Sequence, residues 1–175
     1  MTKERIDLPA FIRAIPDWPK PGILFRDITP LLANPQAFPA AVEALVAPYH
    51  DAGVAYVAAV EARGFIFGSA VAERLNAGFI PIRKKGKLPY ETESVSYALE
   101  YGTDTVEVHR DAIPPGAKVL MVDDLLATGG TMRAACELIE KVGAEVVAIA
   151  FVIELTELKG RERLKPHSVH ALISY

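Results

Sequence analysis

Val119-Leu120-Met121-Val122-Asp123-Asp124-Leu125-Leu126-Ala127-Thr128-Gly129-Gly130-Thr131 is the stretch that decides how the rest of the chain is read. Val119–Val122 is an unbroken apolar run, the pattern of a strand covered on both faces, as in a parallel sheet. Asp123 and Asp124 follow at once, and then a turn of small residues and glycines. Met132, Ala135, Ile139 and Val142 recur at helical spacing, and Gly143 closes that helix. The unit is therefore strand, acidic pair, glycine turn, helix. Such a turn aims backbone N–H groups and a helix N-terminus at one point, which suits a phosphate. The two acids repel that same phosphate, so they face something neutral and polar, or a cation. A sugar phosphate fits both halves, with hydroxyls toward Asp123 and Asp124 and the phosphate in the turn. The bland alternative is a tight strand–helix turn beside a solvated acidic pair. The stretch is neither a Walker loop nor a G-x-G-x-x-G turn.

Working outward, Val54–Val60 reads as another buried strand with Glu61-Ala62-Arg63-Gly64 at its C-terminal end, and Phe65–Leu75 as a helix. Phe79–Ile82 is the next strand and runs into the cationic Arg83-Lys84-Lys85-Gly86-Lys87. A bare charge run is usually a solvated loop. This one emerges at strand ends, where open α/β sheets bind ligands, and an anion such as pyrophosphate would account for it. Downstream, Glu145–Ile153 and Ser168–Ser174 read as strands, the second with Val169, Ala171 and Ile173 on one face. Thr156–Leu164 is a short charged connection. Strands alternating with helices imply an α/β fold, a mostly parallel twisted sheet with helices on both faces.

The flanking segments carry weaker signals. Ile6–Ile15 has Leu8, Phe11, Ile12 and Ile15 near helical spacing, and Asp17-Trp18-Pro19-Lys20-Pro21-Gly22 breaks it. Ile23–Leu32 lacks the alternation of a core strand. It is either an arm over the core edge or a lid in which Phe25 stacks on a flat ligand with Arg26 beside it. Asn34–Tyr49 is a helix with Asn34 as N-cap and Pro35 at its first position. Leu88–Gly102 has no convincing period and reads as a long loop of the kind that forms lids. Thr105–His109 alternates like a strand with one wet face.

Composition sets the outer bounds. With 175 residues, 51% of them hydrophobic, the chain can bury a sizeable core in one domain. A net charge of −3 gives no basic surplus for nucleic acid. The longest apolar run, Val146–Ile153, is far short of the roughly 20 residues that span a bilayer. No apolar stretch follows Met1-Thr2-Lys3-Glu4-Arg5, so no signal peptide is expected. Cys136 is the only cysteine; it is read as helix packing in a reducing, cytoplasmic setting. His167 and His170 would lie on opposite strand faces and make a poor zinc pair, and His50 and His109 are isolated, so no protein metal site is expected.

The string Val122–Thr131 resembles the phosphoribosyl pyrophosphate (PRPP) motif of type I phosphoribosyltransferases. Pro21-Gly22-Ile23-Leu24-Phe25-Arg26-Asp27-Ile28-Thr29-Pro30-Leu31 is similar to the base-binding hood of that family's adenine-specific members. Glu61-Ala62-Arg63-Gly64-Phe65 is similar to their pyrophosphate loop. Arg83–Leu88 and Leu99-Glu100-Tyr101-Gly102 look like their basic loop and the end of their flexible catalytic loop. Glu154-Leu155-Thr156-Glu157-Leu158-Lys159-Gly160-Arg161 resembles their C-terminal stretch. The resemblance runs from about Ile12 to Tyr175. It implies one Rossmann-like phosphoribosyltransferase domain over 1–175, with an arm and hood over about 1–33 and a core over about 34–175 that carries a flexible loop at 84–102.

By that resemblance, adenine and PRPP give AMP and pyrophosphate, a purine-salvage reaction, with Mg²⁺ held mainly through PRPP, pyrophosphate and water. Asp123 and Asp124 would hold the ribose hydroxyls, and Ala127, Thr128, Gly129, Gly130 and Thr131 would cradle the 5′-phosphate. Arg63 and Lys87 would bind pyrophosphate oxygens. Lys84 would reach the partner's site in a homodimer, and Tyr101 would close over PRPP. Leu24, Phe25, Arg26 and Leu125 would hold the adenine, and Glu100 would act on its ring as the catalytic acid or base. The alternatives are an enzyme for another base and a non-catalytic PRPP-binding regulator, for which no nucleic-acid module is visible.

Overall fold

In a computed structural model, residues 6–99 and 102–175 are described. The chain divides into two compact units, residues 1–44 and 45–175.

In the first unit a single 3-10 turn, Leu8–Phe11, precedes strand β1 (Arg13–Ile15). β1 pairs antiparallel with β2 (Phe25–Asp27), Ile15 opposite Phe25 and Arg13 opposite Asp27. This corrects the helix expected over Ile6–Ile15. Pro9 lies inside the short turn, and the residues after it find a strand partner instead of a next turn. Helix α1 (Thr29–Ala33) follows, with Pro30 in its first turn. Asn34 then caps α2 (Ala37–Val46), its Oδ1 accepting the N–H groups of Gln36 at 3.0 Å and Ala37 at 2.8 Å. Pro48 sits in the 3-10 turn Ala47–Tyr49 that continues α2.

The second unit is a seven-stranded sheet in the order β5-β6-β4-β3-β7-β8-β9. In chain order its elements are β3 (Tyr56–Val60), α3 (Gly64–Arg74), β4 (Gly78–Lys84), β5 (Thr92–Ala98), β6 (Thr103–His109), β7 (Lys118–Leu126), α4 (Gly130–Lys141), β8 (Glu145–Glu154), the short helix α5 (Gly160–Arg163) and β9 (Val169–Ser174). β4, β3, β7, β8 and β9 are parallel, while β6 joins β4, and β5 joins β6, antiparallel. The sheet is thus mostly parallel, as its long apolar runs predict.

Alternation along the strands puts the two main helices on opposite faces. Ala58, Val60, Ile82 and Met121 share a buried cluster with Met132, Ala135, Leu138 and Ile139 of α4. The neighbouring Ala59 points the other way, and a Cβ on Gly68 of α3 would lie 2.7 Å from the Ala59 Cβ. Gly68 therefore lets α3 sit close against the sheet.

Two expected boundaries change. Leu88–Gly102 is not one long loop: Thr92–Ala98 pairs along its whole length with Thr103–His109 and forms the sheet edge. The flexible loop expected over 84–102 accordingly contains a strand. The strand expected to end at Val122 runs on to Leu126, because Asp123, Leu125 and Leu126 keep their pairing with β8.

Candidate active site

The chain passes from β3 to β4 on one side and later returns to β7 on the other side of β3. At such a reversal the loops leaving the two strands diverge and open a crevice at the carboxyl ends. A cavity of about 360 Å³ occupies that place. Its walls are Glu61-Ala62-Arg63 after β3, Lys84 at the end of β4, and Asp123–Thr131 from the end of β7 into α4.

Asp124 is buried, 5% exposed, and its Oδ2 lies 2.7 Å from Arg63 Nε. The Asp123 carboxylate accepts the Asp124 backbone N–H at 2.9 Å. It rests against the first residue of α3, where a Cβ on Gly64 would stand 2.7 Å from Asp123 Oδ1. Burial, and then the charge of Asp124, push the Asp123 carboxyl well above the usual carboxylate range. Asp124 is thus not the solvated carboxylate of the bland alternative. Arg63, assigned to pyrophosphate by resemblance, is here the counter-ion of Asp124.

Past Leu126 the chain turns through Ala127 and Thr128 to Gly129, whose φ of +80° favours glycine. Among the described residues no side chain caps α4, and Gly129, Gly130 and Thr131 at its start line the cavity. The turn is backed by α5. A Cβ on Gly129 would come within 2.7 Å of the Gly160 carbonyl oxygen, and one on Gly160 would collide with the Ala127 carbonyl. Arg161 fixes that backing, its Nε and Nη2 donating to the buried Glu154 carboxylate at 3.0 and 2.5 Å. This is the physical content of the Glu154–Arg161 stretch, which the sequence marks only by resemblance.

The basic run is organised by carboxylates that sequence reading passes over. Glu61 Oε1 accepts the Lys84 N–H at 2.6 Å and its Oε2 lies 3.4 Å from Arg83 Nη2. Burial opposes its ionisation, but the Lys84 N–H and Arg83 outweigh it and hold the carboxyl below the usual range. Glu107, also buried, accepts the Gly86 N–H at 2.9 Å. Lys84 Nζ donates to Tyr97 Oη at 2.9 Å and to Asp104 Oδ2. Desolvation would lower the Lys84 pKa, but the bonds to Asp104 and Tyr97 raise it on balance. Lys87 is exposed and does not line the cavity.

Of the residues predicted to bind the base, Leu125 lines the cavity. In the first unit Phe25 packs edge-on against Trp18, ring centroids 4.5 Å apart, and Arg26 lies on β2 opposite Ala14. Leu24 is 48% exposed. Glu100 and Tyr101 lie outside the described residues. No group of three or more metal-ligating side chains occurs among the described residues. No helix among them is long and apolar enough to cross a membrane.

Residues 30–173 match the phosphoribosyl transferase domain family. The adenine phosphoribosyltransferase of Methylobacterium radiotolerans is 58% identical over 163 residues, covering 93% of this chain and 90% of the relative. The crystal structure of adenine phosphoribosyltransferase from Rhodothermus marinus superposes with a TM-score of 0.91 at 52% identity, over 96% of each chain. The Giardia lamblia enzyme complexed with 9-deazaadenine superposes with a TM-score of 0.92 at 38% identity, over 99% of each chain. Sequence and fold agree on one assignment: the chain belongs to the phosphoribosyltransferase family, in its adenine phosphoribosyltransferase branch.

Proposed function

We propose that the chain transfers the 5-phosphoribosyl group of PRPP to adenine, giving AMP and pyrophosphate. The observation that carries this reading is one cavity at the β3–β7 reversal holding both a buried acid pair and an uncapped glycine turn. A sugar phosphate needs both. The turn's N–H groups and the Thr131 hydroxyl bind the 5′-phosphate. Asp123 accepts from the ribose hydroxyls, while Asp124 holds Arg63 at the cavity rim. As pyrophosphate leaves, the ribosyl carbon becomes electron-poor, as in glycoside chemistry, and the acid pair tolerates that charge. Arg63 and Lys87 supply cationic charge toward the departing pyrophosphate, Lys87 from outside the cavity wall.

Leu24, Phe25, Arg26 and Leu125 bind the base, Glu100 holds or takes a ring proton as N9 attacks, and Tyr101 covers PRPP. The oxygen-bearing side chains on the cavity wall, among them Asp123, Thr128 and Thr131, suit a hard metal ion that arrives with its substrate. Mg²⁺ bound through the diphosphate and water would offset the leaving group's negative charge. A homodimer in the cytoplasm completes the reading, with Lys84 near the partner's site.

The test is incubation of radiolabelled adenine with PRPP and Mg²⁺. AMP formation, with hypoxanthine used at least about 10⁴-fold less efficiently, is the expected result. Comparable kcat/KM for the two bases would overturn the choice of adenine, and no nucleotide from any purine would overturn the reaction.

A further inference from the structure

One oxygen joins four elements beside the cavity. Tyr97 Oη, on β5, accepts from Lys84 Nζ of β4 at 2.9 Å and from Thr131 Oγ1 of α4 at 3.1 Å, and donates to Asp104 Oδ2 of β6 at 3.3 Å. A phenol has one proton to give and two lone pairs to fill, so this oxygen is saturated. The arrangement ties the edge hairpin β5–β6 and the basic strand end to the first turn of α4, where Thr131 lines the cavity.

Thr131 also has only one proton. It donates that proton to Tyr97, so it cannot at the same time donate to a phosphate in the turn. We propose that Tyr97 is a positioning residue for phosphate binding: when phosphate enters the glycine turn, Thr131 rotates its proton onto a phosphate oxygen and accepts the Tyr97 proton in return. No covalent bond changes. The phenol proton leaves Asp104 Oδ2, which keeps Lys84, while Asp104 Oδ1 keeps the Thr105 N–H. Tyr97 keeps Lys84 as a donor. Every polar group of the network is therefore satisfied both before and after the rotation, so the rearrangement leaves no buried group unpaired. In the rotated state the hydroxyls form a chain, Tyr97 to Thr131 to phosphate, in which each bond polarises the next.

The inference rests on the reading that a phosphate occupies this turn. The experiment is calorimetric titration of the full chain with ribose 5-phosphate, for wild type, Tyr97→Phe, Thr131→Val and the double variant, with melting temperatures for each. Tyr97→Phe keeps the ring and removes only the relay oxygen. It should weaken ribose 5-phosphate about three- to tenfold. In turnover the loss should fall on the PRPP KM more than on kcat. In the Thr131→Val background the same change should have no further effect. Thr131→Ser, which retains the hydroxyl, keeps the dependence on Tyr97 and provides a second, independently folded background. Equal affinity of wild type and Tyr97→Phe, or strictly multiplicative losses in the double variant, would overturn the relay and leave the phosphate site standing. A wild type that does not bind ribose 5-phosphate would overturn the phosphate reading and the relay with it.

Discussion

The Asp123 carboxylate occupies the space a side chain on Gly64 would need: a Cβ there would lie 2.7 Å from Asp123 Oδ1 and 3.3 Å from its Cγ. The glycine at the start of α3 thus allows one of the two acids its place in the cavity wall. Gly64→Ala should displace Asp123, weaken PRPP binding and cost about 1–3 kcal/mol of stability from overpacking. Gly68→Ala is the comparison, since its Cβ, one turn further along the same face of α3, would meet Ala59 and Phe79 instead of an acid. It should lower the melting temperature with much less effect on PRPP affinity. Equal loss of affinity in both variants would show that the Gly64 effect is general unfolding.

Asp123→Asn should separate stability from function. Burial, followed by Asp124, raises the Asp123 pKa in the folded chain above its unfolded value of about 3.9. Between those two values the folded protein holds a proton that the unfolded chain has released, so stability falls as pH rises through that window. Asn cannot ionise and still offers an oxygen to the Asp124 N–H. The variant should be at least as stable as wild type at neutral pH, with the gap closing as pH falls into the ordinary carboxylate range, while PRPP affinity drops. Denaturant titrations at several pH values read this; a variant that loses ground to wild type on going from acid to neutral pH would contradict it.

Glu61 links the loop after β3 to the end of β4 through the Lys84 N–H and Arg83. Glu61→Ala leaves that N–H and the half-buried guanidinium unpaired, at a cost of about 1.5–3 kcal/mol. The PRPP KM should rise and pyrophosphate inhibition should weaken. Glu61→Gln retains an acceptor and should recover much of both. Steady-state kinetics with pyrophosphate as product inhibitor distinguishes the two, and identical behaviour of Ala and Gln would remove the hydrogen bond as the cause.

Gly160→Ala should act on the phosphate turn from behind. Its Cβ would collide with the Ala127 carbonyl and stand 2.9 Å from Leu126 Cδ1. Arg161→Met should instead leave the buried Glu154 without its bidentate partner, destabilising the fold by about 2–3 kcal/mol after allowance for the exposed side of the arginine. Thermal melts should show both losses. Ribose 5-phosphate affinity measured well below the melting temperature should fall far more for Gly160→Ala.

The strand–acid–turn–helix unit is legible in the sequence because its signals are local: an apolar run, two acids, two glycines and a helical period within one short stretch. The asymmetry of the acid pair is not, since nothing in Asp123-Asp124 says which carboxylate Arg63 takes. Glu61 and Tyr97 are illegible for the same reason. Their partners lie 23 and 34 residues away, at Lys84 and Thr131. β5 escapes notice because only Val95 and Tyr97 pack on the core among polar neighbours, and its strand character comes from pairing with β6. In the N-terminal unit the helical spacing of Leu8, Phe11, Ile12 and Ile15 misleads, because the pairing of β1 with β2 overrides it.

Cys136 is the only thiol in the chain, and it sits on the buried side of α4 at 2% exposure. Burial, and then the nearby Glu140 and Glu137, push its pKa up to about 12. At neutral pH only about one molecule in 10⁵ would carry the nucleophilic thiolate, against a few per cent for a free cysteine. An alkylating reagent such as iodoacetamide would therefore modify the chain chiefly through molecules in which the packing of α4 around Cys136, beside Leu164, Pro166 and His167, has opened. Its labelling rate becomes a clock for that opening. Run with and without ribose 5-phosphate, the clock reports how firmly a ligand at the N-terminal end of α4 fastens the whole helix, with no engineered label.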